Sequence, residues 1–153
     1  MRELYGKKND SVGTPDDLYE ELKKHFKFNF DPCPLEKPEW DGLEIPWKES
    51  NFVNPPFSEI PKWLKKGIEE KKKGNKSVFL ITGRTNSLYW HSLCFMNFDD
   101  LYFAEKGIRF KGYPAPFPVP MTLVVFDPNP RDSQKQGHVT FGKYRFFRIP
   151  RVY

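Results

Sequence analysis

The spacing of hydrophobic positions first predicts a helix near the start of the chain. Leu18, Leu22 and Phe26 recur four residues apart, which is the spacing of one helical face. Thr14 is expected to cap this helix, and Pro15 is expected at its first position, where no N–H is needed. The helix is therefore predicted to begin at Pro15 and to bury the face that carries the three apolar side chains.

Two further segments are predicted to be helical. Over residues 58–74 the apolar positions return at helical spacing, and Gly74 ends the pattern. The side chains that form this stripe are Ile60, Trp63, Leu64 and Ile68. The segment 86–96 is the third predicted helix.

The strands are predicted from a period of two or from unbroken apolar runs. Phe26, Phe28 and Phe30 alternate before Asp31 and are expected to face one side of a strand. A continuous apolar run, of the kind found in a buried parallel strand, occupies residues 77–82. Further strands are predicted at residues 51–54, 100–105 and 121–127. Because strands alternate with helices, the sequence predicts an α/β fold with a mostly parallel central sheet. Ligands of such sheets bind at the carboxyl ends of the strands.

Composition narrows the class of protein. The chain has 153 residues, 17% of them aromatic, and 15 prolines, which indicates one globular, loop-rich domain. No apolar run is long enough to cross a membrane and the N-terminus lacks a signal-peptide pattern, so a cytoplasmic protein is expected. Two cysteines and three histidines, all scattered, predict neither a disulfide framework nor a metal site.

Charge is concentrated in two places. Residues 131–153 carry six Lys or Arg and one acid, so the charge of this segment equals the net charge of +5 of the whole chain. Residues 62–73 carry six Lys. Basic clusters suit a phosphate backbone, but they also occur on ordinary solvated surfaces, and charge alone leaves both options open. We divide the chain into an N-terminal arm (1–13), a main domain (14–127) and a basic extension of the same domain (128–153).

The segment Asn54-Pro55-Pro56-Phe57 carries the candidate chemistry. Two consecutive prolines favour a rigid loop after a strand. The Asn54 side-chain oxygen and the Pro55 carbonyl could accept the two hydrogens of an exocyclic amine, and Phe57 could stack on the base. Such a site would suit methyl transfer from a sulfonium donor to a flipped-out base, without a metal. The alternative is a plain turn, with Ser58 capping the next helix and Phe57 in the core.

Eight motifs in order extend this interpretation to residues 14–126. They read TPDDL, FKFNFDPC, DGLEIPW, FVNPPFS, WLKK, FLITGRTNSLYW, KGIRF and PVPMTLVVF. In order and spacing they resemble the phage-type DNA N-6-adenine methyltransferases, the Dam-like family. The resemblance implies a single-domain Rossmann-like fold, S-adenosylmethionine as methyl donor and adenine N6 of DNA as acceptor. It also implies a bacterial or phage-infected host cell.

The resemblance also implies roles for individual residues. The catalytic motif is Asn54, Pro55, Pro56 and Phe57. The residues implied for the cofactor are Thr14 and Pro15 near its carboxylate and Asp31, Pro32 and Cys33 near its methionine part. For the ribose hydroxyls the acidic candidates are Glu36, Glu39, Asp41 and Glu44, of which we choose Asp41. No glycine-rich loop follows Cys33, and the Gly-Arg pair of the family is split by Ile108. The candidates for nucleic acid follow from position: Lys62 and Lys66 come directly after the motif, Arg84 and Thr85 follow a strand at its carboxyl end, and Arg109 lies in KGIRF. The alternatives are a solvated helix face for the lysines and a loop salt bridge for the Arg84 segment.

The sequence leaves other functions open. The same loop chemistry would serve an RNA adenine, cytosine N4 or a protein glutamine amide. The missing glycines would fit a nucleic-acid-binding protein on a scaffold that has lost catalysis. DNA is the expected partner and a membrane is not. A homodimer would supply contact surface that a chain with no separate recognition domain lacks.

Overall fold

The structure, a computed structural model, describes residues 10–130 and 135–152. Its helices are α1 (Asp16–Phe26), α2 (Ile60–Lys72) and α3 (Phe95–Asn97), with a 3-10 turn at Phe57–Glu59 before α2 and a π-helical turn at Trp90–Cys94 before α3. Its strands are β1 (Ser50–Val53), β2 (Lys76–Thr82), β3 (Asp100–Ala104), β4 (Met121–Phe126), β5 (Gly137–Phe141) and β6 (Tyr144–Pro150). No helix within these ranges is long and apolar enough to cross a membrane.

The six described strands form one mixed sheet in the order β1-β2-β4-β3-β6-β5. Only β1 and β2 are parallel, and the other four neighbouring pairs are antiparallel. The predicted Rossmann-like, mostly parallel sheet is therefore wrong. A parallel connection needs a crossover, usually a helix. The segment between β3 and β4 is proline-rich and irregular, and a tight turn joins β5 to β6, so both connections reverse the chain.

Helices cover both faces of the sheet, which explains the unbroken apolar runs. Alternate residues of β2 enter different cores: Val78 and Leu80 pack in the cluster under α1, whereas Phe79 and Ile81 pack in the cluster under α2. The residues of β4 alternate in the same way. A strand buried on both sides needs apolar side chains at every position, and its sequence does not indicate the direction in which it runs.

The predicted strand at Phe26–Phe30 is reduced to a single bridge. Helix α1 extends to Phe26 and ends at Lys27, whose φ of 57° is left-handed. Beyond it, Phe30 forms one parallel bridge with Asn51 on the outer edge of β1. Phe28 packs in the α1 cluster and Phe30 against the α2 cluster, so the three rings do not share one face.

The basic C-terminal extension joins the same sheet as the hairpin β5–β6, and β6 pairs with β3. Several of its cations are paired within the chain. Arg148 forms a bidentate ion pair with Asp100 at 2.8 and 2.5 Å. Arg145 lies 3.0 Å from Glu105, and Lys143 lies 3.3 Å from Asp17. The positive charge of this segment thus contributes to the attachment of the hairpin. Residues 131–134 and 153 of the extension lie outside the described ranges.

Candidate active site

Asn54 follows the carboxyl end of β1, and its amide has a defined orientation. Its Nδ2 donates to the Val12 carbonyl at 2.7 Å and to Thr14 Oγ1 at 3.0 Å. A carbonyl oxygen only accepts hydrogen bonds, so the amide nitrogen must face Val12. The Asn54 Oδ1 is buried and has no hydrogen-bond partner in the described part of the chain. Buried polar atoms are nearly always paired, so this oxygen is a candidate acceptor for a ligand.

Thr14 differs from its predicted structural role. Helix α1 begins at Asp16 with Pro15 as its N-cap, and no side chain caps it. The Thr14 hydroxyl oxygen instead accepts the hydrogen bond from Asn54. The expected Thr14 cap is therefore wrong, because the hydroxyl is engaged with a residue 40 positions later.

The loop after Asn54 is attached to Asp10. The Phe57 N–H donates to the Asp10 carbonyl at 3.1 Å. The Ser58 N–H donates to Asp10 Oδ1 at 2.9 Å, and the Ser58 hydroxyl donates to Asp10 Oδ2. Asp10 therefore satisfies an N–H group at the start of the 3-10 turn, in the way an N-cap residue does. Ser58, considered above as the cap, is the residue that is capped. The Pro55 carbonyl accepts no hydrogen bond from any described residue.

Phe57 is half-buried and its ring already has an aromatic neighbour. Its ring stacks on that of Phe117, with centroids 5.0 Å apart and planes 22° from parallel. Phe117 lies in the proline-rich segment between β3 and β4. One face of the Phe57 ring is therefore occupied within the chain, and a base would stack on the other face or next to this pair.

A cavity of about 360 Å³ opens in front of Asn54. Its walls come from the N-terminal segment, from α1 and from the residues that follow the Phe30 bridge. The lining side chains that matter below are Thr14, Tyr19, Glu20, Asp31, Cys33 and Asn54. A groove of about 380 Å³ adjoins it and shares Cys33 as a lining residue. Together they form a space beside Asn54 that could admit a small polar ligand.

Asp31 is the charged group best placed within this cavity. Burial raises its pKa to about 6, although the hydrogen bond from the Cys33 N–H at 2.9 Å lowers it in part. No described Lys, Arg or His lies within ion-pair distance of its carboxylate. A partly buried carboxylate without a cation would gain from a positively charged ligand. Burial raises the pKa of the Cys33 thiol to about 12, so this thiol is not a nucleophile at neutral pH.

The remaining residues predicted for a cofactor lie around these two spaces. Pro15 accepts a hydrogen bond from the Tyr19 N–H at 3.0 Å and is not part of the cavity wall. Pro32 and Asp41 line the adjoining groove, together with Pro56. The Asp41 carboxylate is exposed and accepts from the Leu43 N–H at 2.9 Å, which leaves one oxygen available.

The residues predicted for nucleic acid lie in three places. Lys62 is exposed near the start of α2, whereas Lys66 is partly buried and lies 3.2 Å from Glu70. Arg84 and Thr85 are exposed just beyond the carboxyl end of β2, the strand next to β1. Arg109 is exposed in the segment between β3 and β4. The structure thus leaves Lys62 exposed in the first turn of α2 and Arg84 and Thr85 exposed beyond β2, whereas Lys66 is paired within the fold.

Sequence reasoning missed four contributors to the site: Asp10, Val12, Tyr19 and Glu20. Asp10 and Val12 act on a loop more than 40 residues away, and no local pattern marks such a contact. Tyr19 and Glu20 lie on the side of α1 next to its buried stripe. A helical projection of α1 beside Thr14 could have indicated these two residues.

Within the described ranges, no group of three or more His, Cys, Asp or Glu side chains could bind a metal ion. Comparisons with curated proteins and with solved structures gave no match. A comparison with protein-family models gave one. Residues 3–115, which include the N-terminal segment, the cavity and the loop at Asn54, match the family model described as DNA N-6-adenine-methyltransferase (Dam).

Proposed function

The chain belongs to the DNA N-6-adenine-methyltransferase (Dam) family, since the match covers more than half of its 153 residues, and on this premise we propose how it acts. Membership implies a methyltransferase that acts on adenine in DNA, with S-adenosylmethionine as donor. Our proposal is that the adenine N6 is presented to Asn54 and Pro55 while the cofactor occupies the cavity at Asp31.

The unpaired Asn54 Oδ1 carries this proposal. An exocyclic amine is a weak nucleophile because its lone pair is delocalised into the ring. Hydrogen bonds from its two N–H groups to Asn54 Oδ1 and the Pro55 carbonyl would draw the nitrogen towards a tetrahedral geometry. Both oxygens lack a partner in the described ranges. After transfer, N6 would release one proton to water. Fixed acceptors of this kind act through position and electrostatics.

The residues of the cavity fit a cationic, amino-acid-like cofactor. Asp31 offers a partly buried carboxylate with no described cation as ion-pair partner, which suits an ammonium group. Glu20, exposed at the cavity wall, and Asp41, in the adjoining groove, offer acceptors for ribose hydroxyls. When bound, S-adenosylmethionine supplies a methyl group on a positively charged sulfur, and this sulfur keeps the electrons of the carbon–sulfur bond that breaks.

On the DNA side, we propose that exposed cations contact phosphates around the site. Lys62, Arg84 and Arg109 are the candidates, and Thr85 adds a hydroxyl. An adenine inside a duplex would have to leave the stack to reach Asn54, at a cost of a few kcal/mol. The Phe57–Phe117 pair supplies an aromatic surface for the extruded base.

Methyl transfer to DNA tests this proposal directly. Purified protein would be incubated with unmethylated DNA and S-adenosylmethionine, and the digested nucleosides would be searched for N6-methyladenine by mass spectrometry. We expect Asn54→Ala to lower the rate by about 100-fold or more, the effect of removing one oriented polar group from an active site. Asn97→Ala is the control, because among the described residues this amide donates only to the Leu93 carbonyl of its own helical segment.

Two results would contradict the proposal. One is equal activity of Asn54→Ala and the parent protein, and the other is methylation of an RNA substrate but not of DNA. Thermal stabilisation by the demethylated cofactor product, measured in parallel, separates a failure to bind cofactor from a failure to accept DNA.

A further inference from the structure

We propose that Thr14 is a positioning residue for Asn54 and that it acts on the side of the acceptor base. This differs from the role that the resemblance implied, a contact with the cofactor carboxylate. The inference rests on the proposed function. Residues 10–14, which we call the strap, would fix the geometry of residues 54–58, which we call the catalytic loop.

The strap determines which atom of the Asn54 amide faces the base. Rotating a carboxamide by a half turn exchanges its oxygen and nitrogen with little change in shape. In the exchanged state an N–H donor would face the N–H donors of the amine, and the acceptor would be lost. The Val12 carbonyl and the Thr14 hydroxyl oxygen both accept from Nδ2, at 2.7 and 3.0 Å. These two contacts therefore stabilise the orientation in which Oδ1 is available.

A second attachment fixes the other end of the loop. Asp10 accepts from the N–H groups of Phe57 and Ser58 and from the Ser58 hydroxyl. The loop is thus bonded to the strap at Asn54, Phe57 and Ser58, on both sides of the two prolines. The Pro55 carbonyl, between these bonds, is restricted by the attachments and by the proline rings.

The strap itself is held in place by the core and by a neighbouring loop. Val12 is buried in the α1 cluster. The Gly13 carbonyl accepts from the Lys111 N–H at 2.9 Å. A Cβ atom at Gly13 would lie 3.1 Å from both Leu35 Cδ2 and Lys111 Cβ, so the chain is closely enclosed there. Because the strap is held in place, its hydrogen bonds to Asn54 can hold that side chain in place as well.

Replacing Thr14 by Val and by Ser provides the test. Val keeps the shape and removes the acceptor, whereas Ser keeps the hydroxyl. We expect Thr14→Val to lower kcat for DNA methylation about tenfold, the upper end for one lost neutral hydrogen bond. Thr14→Ser should restore most of the rate. The Kd of the demethylated cofactor product, measured by calorimetry on each variant without DNA, should change less than about twofold.

Three further variants define the result, one as a control and two at Asp10. Thr140→Val removes an exposed hydroxyl on β5, at the opposite edge of the sheet, and should leave kcat and Kd unchanged. Asp10→Ala should lower kcat, because it removes the acceptors for Ser58. Asp10→Asn keeps an acceptor for the Ser58 N–H and should retain most of the rate.

The outcomes separate this inference from the function itself. A parent protein that binds cofactor product but methylates no DNA would refute the proposed function, whatever the variants do. An active parent whose Thr14→Val variant keeps its kcat and loses cofactor affinity would overturn the inference, and would assign Thr14 to the cofactor. Failure of Thr14→Ser to restore the rate would overturn it as well.

Discussion

At the scale of single residues, Asp31 occupies a place that disfavours its charge. Burial raises its pKa from 3.8 to about 6. Between these two values the folded protein binds more protons than the unfolded chain. The free energy of unfolding therefore falls as the pH rises from about 4 to 6, and the loss persists above that range. An ammonium group of a ligand in the cavity would offset this loss, because it would stabilise the ionised form.

Asp31→Asn should therefore stabilise the free protein and weaken its cofactor site. At about pH 7.5 we expect a higher Tm than that of the parent, and at about pH 4 no gain, because both side chains are then neutral. The thermal shift caused by the demethylated cofactor product should be reduced. Scanning fluorimetry at both pH values measures these effects, with Glu69→Gln, an exposed carboxylate on α2, as the control. A variant less stable than the parent at the higher pH would contradict this account.

The same scale shows what sequence could predict about the site. Asn54 to Phe57 could be proposed because their chemistry lies within four adjacent residues, and their catalytic role stays a prediction. Asp31 could be proposed because a strand-like run leads to it, and its role at the cofactor stays a prediction as well. The contact of Thr14 with Asn54 was missed, because the sequence around Thr14 fits a helix cap equally well. Only the folded chain shows which partner its hydroxyl has.

At the scale of elements, α2 approaches the sheet closely at Gly67. A Cβ atom there would lie 2.5 Å from Cε2 and 2.6 Å from Cζ of the buried Phe79 ring. Three residues further on, Glu70 is fully buried and accepts from the Trp47 N–H at 2.8 Å. Burial alone would raise the pKa of Glu70, but hydrogen bonds from Trp47, Asn75, Lys66 and Lys73 lower it to about 2. Helix α2 is therefore joined to the sheet by a tight apolar contact, and its buried carboxylate attaches it to the loop at Trp47.

Gly67→Ala should destabilise the protein although alanine favours helices. Its methyl group would displace Phe79 in a packed core, at a cost of about 1–3 kcal/mol, which exceeds the gain of about 1 kcal/mol in helix propensity. Urea unfolding of the variant measures the difference. Lys65→Ala, on the exposed side of the same helix, should remain within about 0.5 kcal/mol of the parent. A stabilised Gly67→Ala protein would show that the helix can move away from the sheet.

Elements were predicted better than their arrangement. The helices at α1 and α2 and the strands β1 to β4 were expected, because their apolar periods or runs are local. Strand direction depends on the connections. The irregular segment before β4 gives no sign of where its strand pairs, and the parallel expectation failed there.

At the scale of the whole molecule, the net charge of +5 overstates the positive charge that is available to contact DNA. Lys66 and Lys73 pair with Glu70, and Lys71 lies 2.7 Å from Asp99. Lys62 and Lys72, at opposite ends of α2, are exposed and form no ion pair with a described residue. They lie about 15 Å apart along the helix, and only Lys62 is near the catalytic loop.

These two lysines make a matched pair for a measurement of salt dependence. Lys62→Ala should weaken duplex binding at low salt and reduce the slope of log Kd against log salt by about 1, because one phosphate contact is lost. Lys72→Ala should leave the slope unchanged. Fluorescence anisotropy over a series of salt concentrations measures both. Equal changes in Kd and in slope for the two variants would mean that α2 attracts DNA only through its overall positive charge, without a specific phosphate contact at Lys62.

The last hairpin also influences when the site can form. The Tyr144 hydroxyl donates to Asp17 at 2.8 Å and joins residues 127 positions apart. The entropy lost in closing a loop increases with its length, and distant contacts slow folding. Helix α1, which lines the cavity, thus receives one of its contacts only after β5 and β6 have been synthesised. A nascent chain would complete its sheet before it could bind a cofactor firmly, so ligand affinity would arise as a late event of folding.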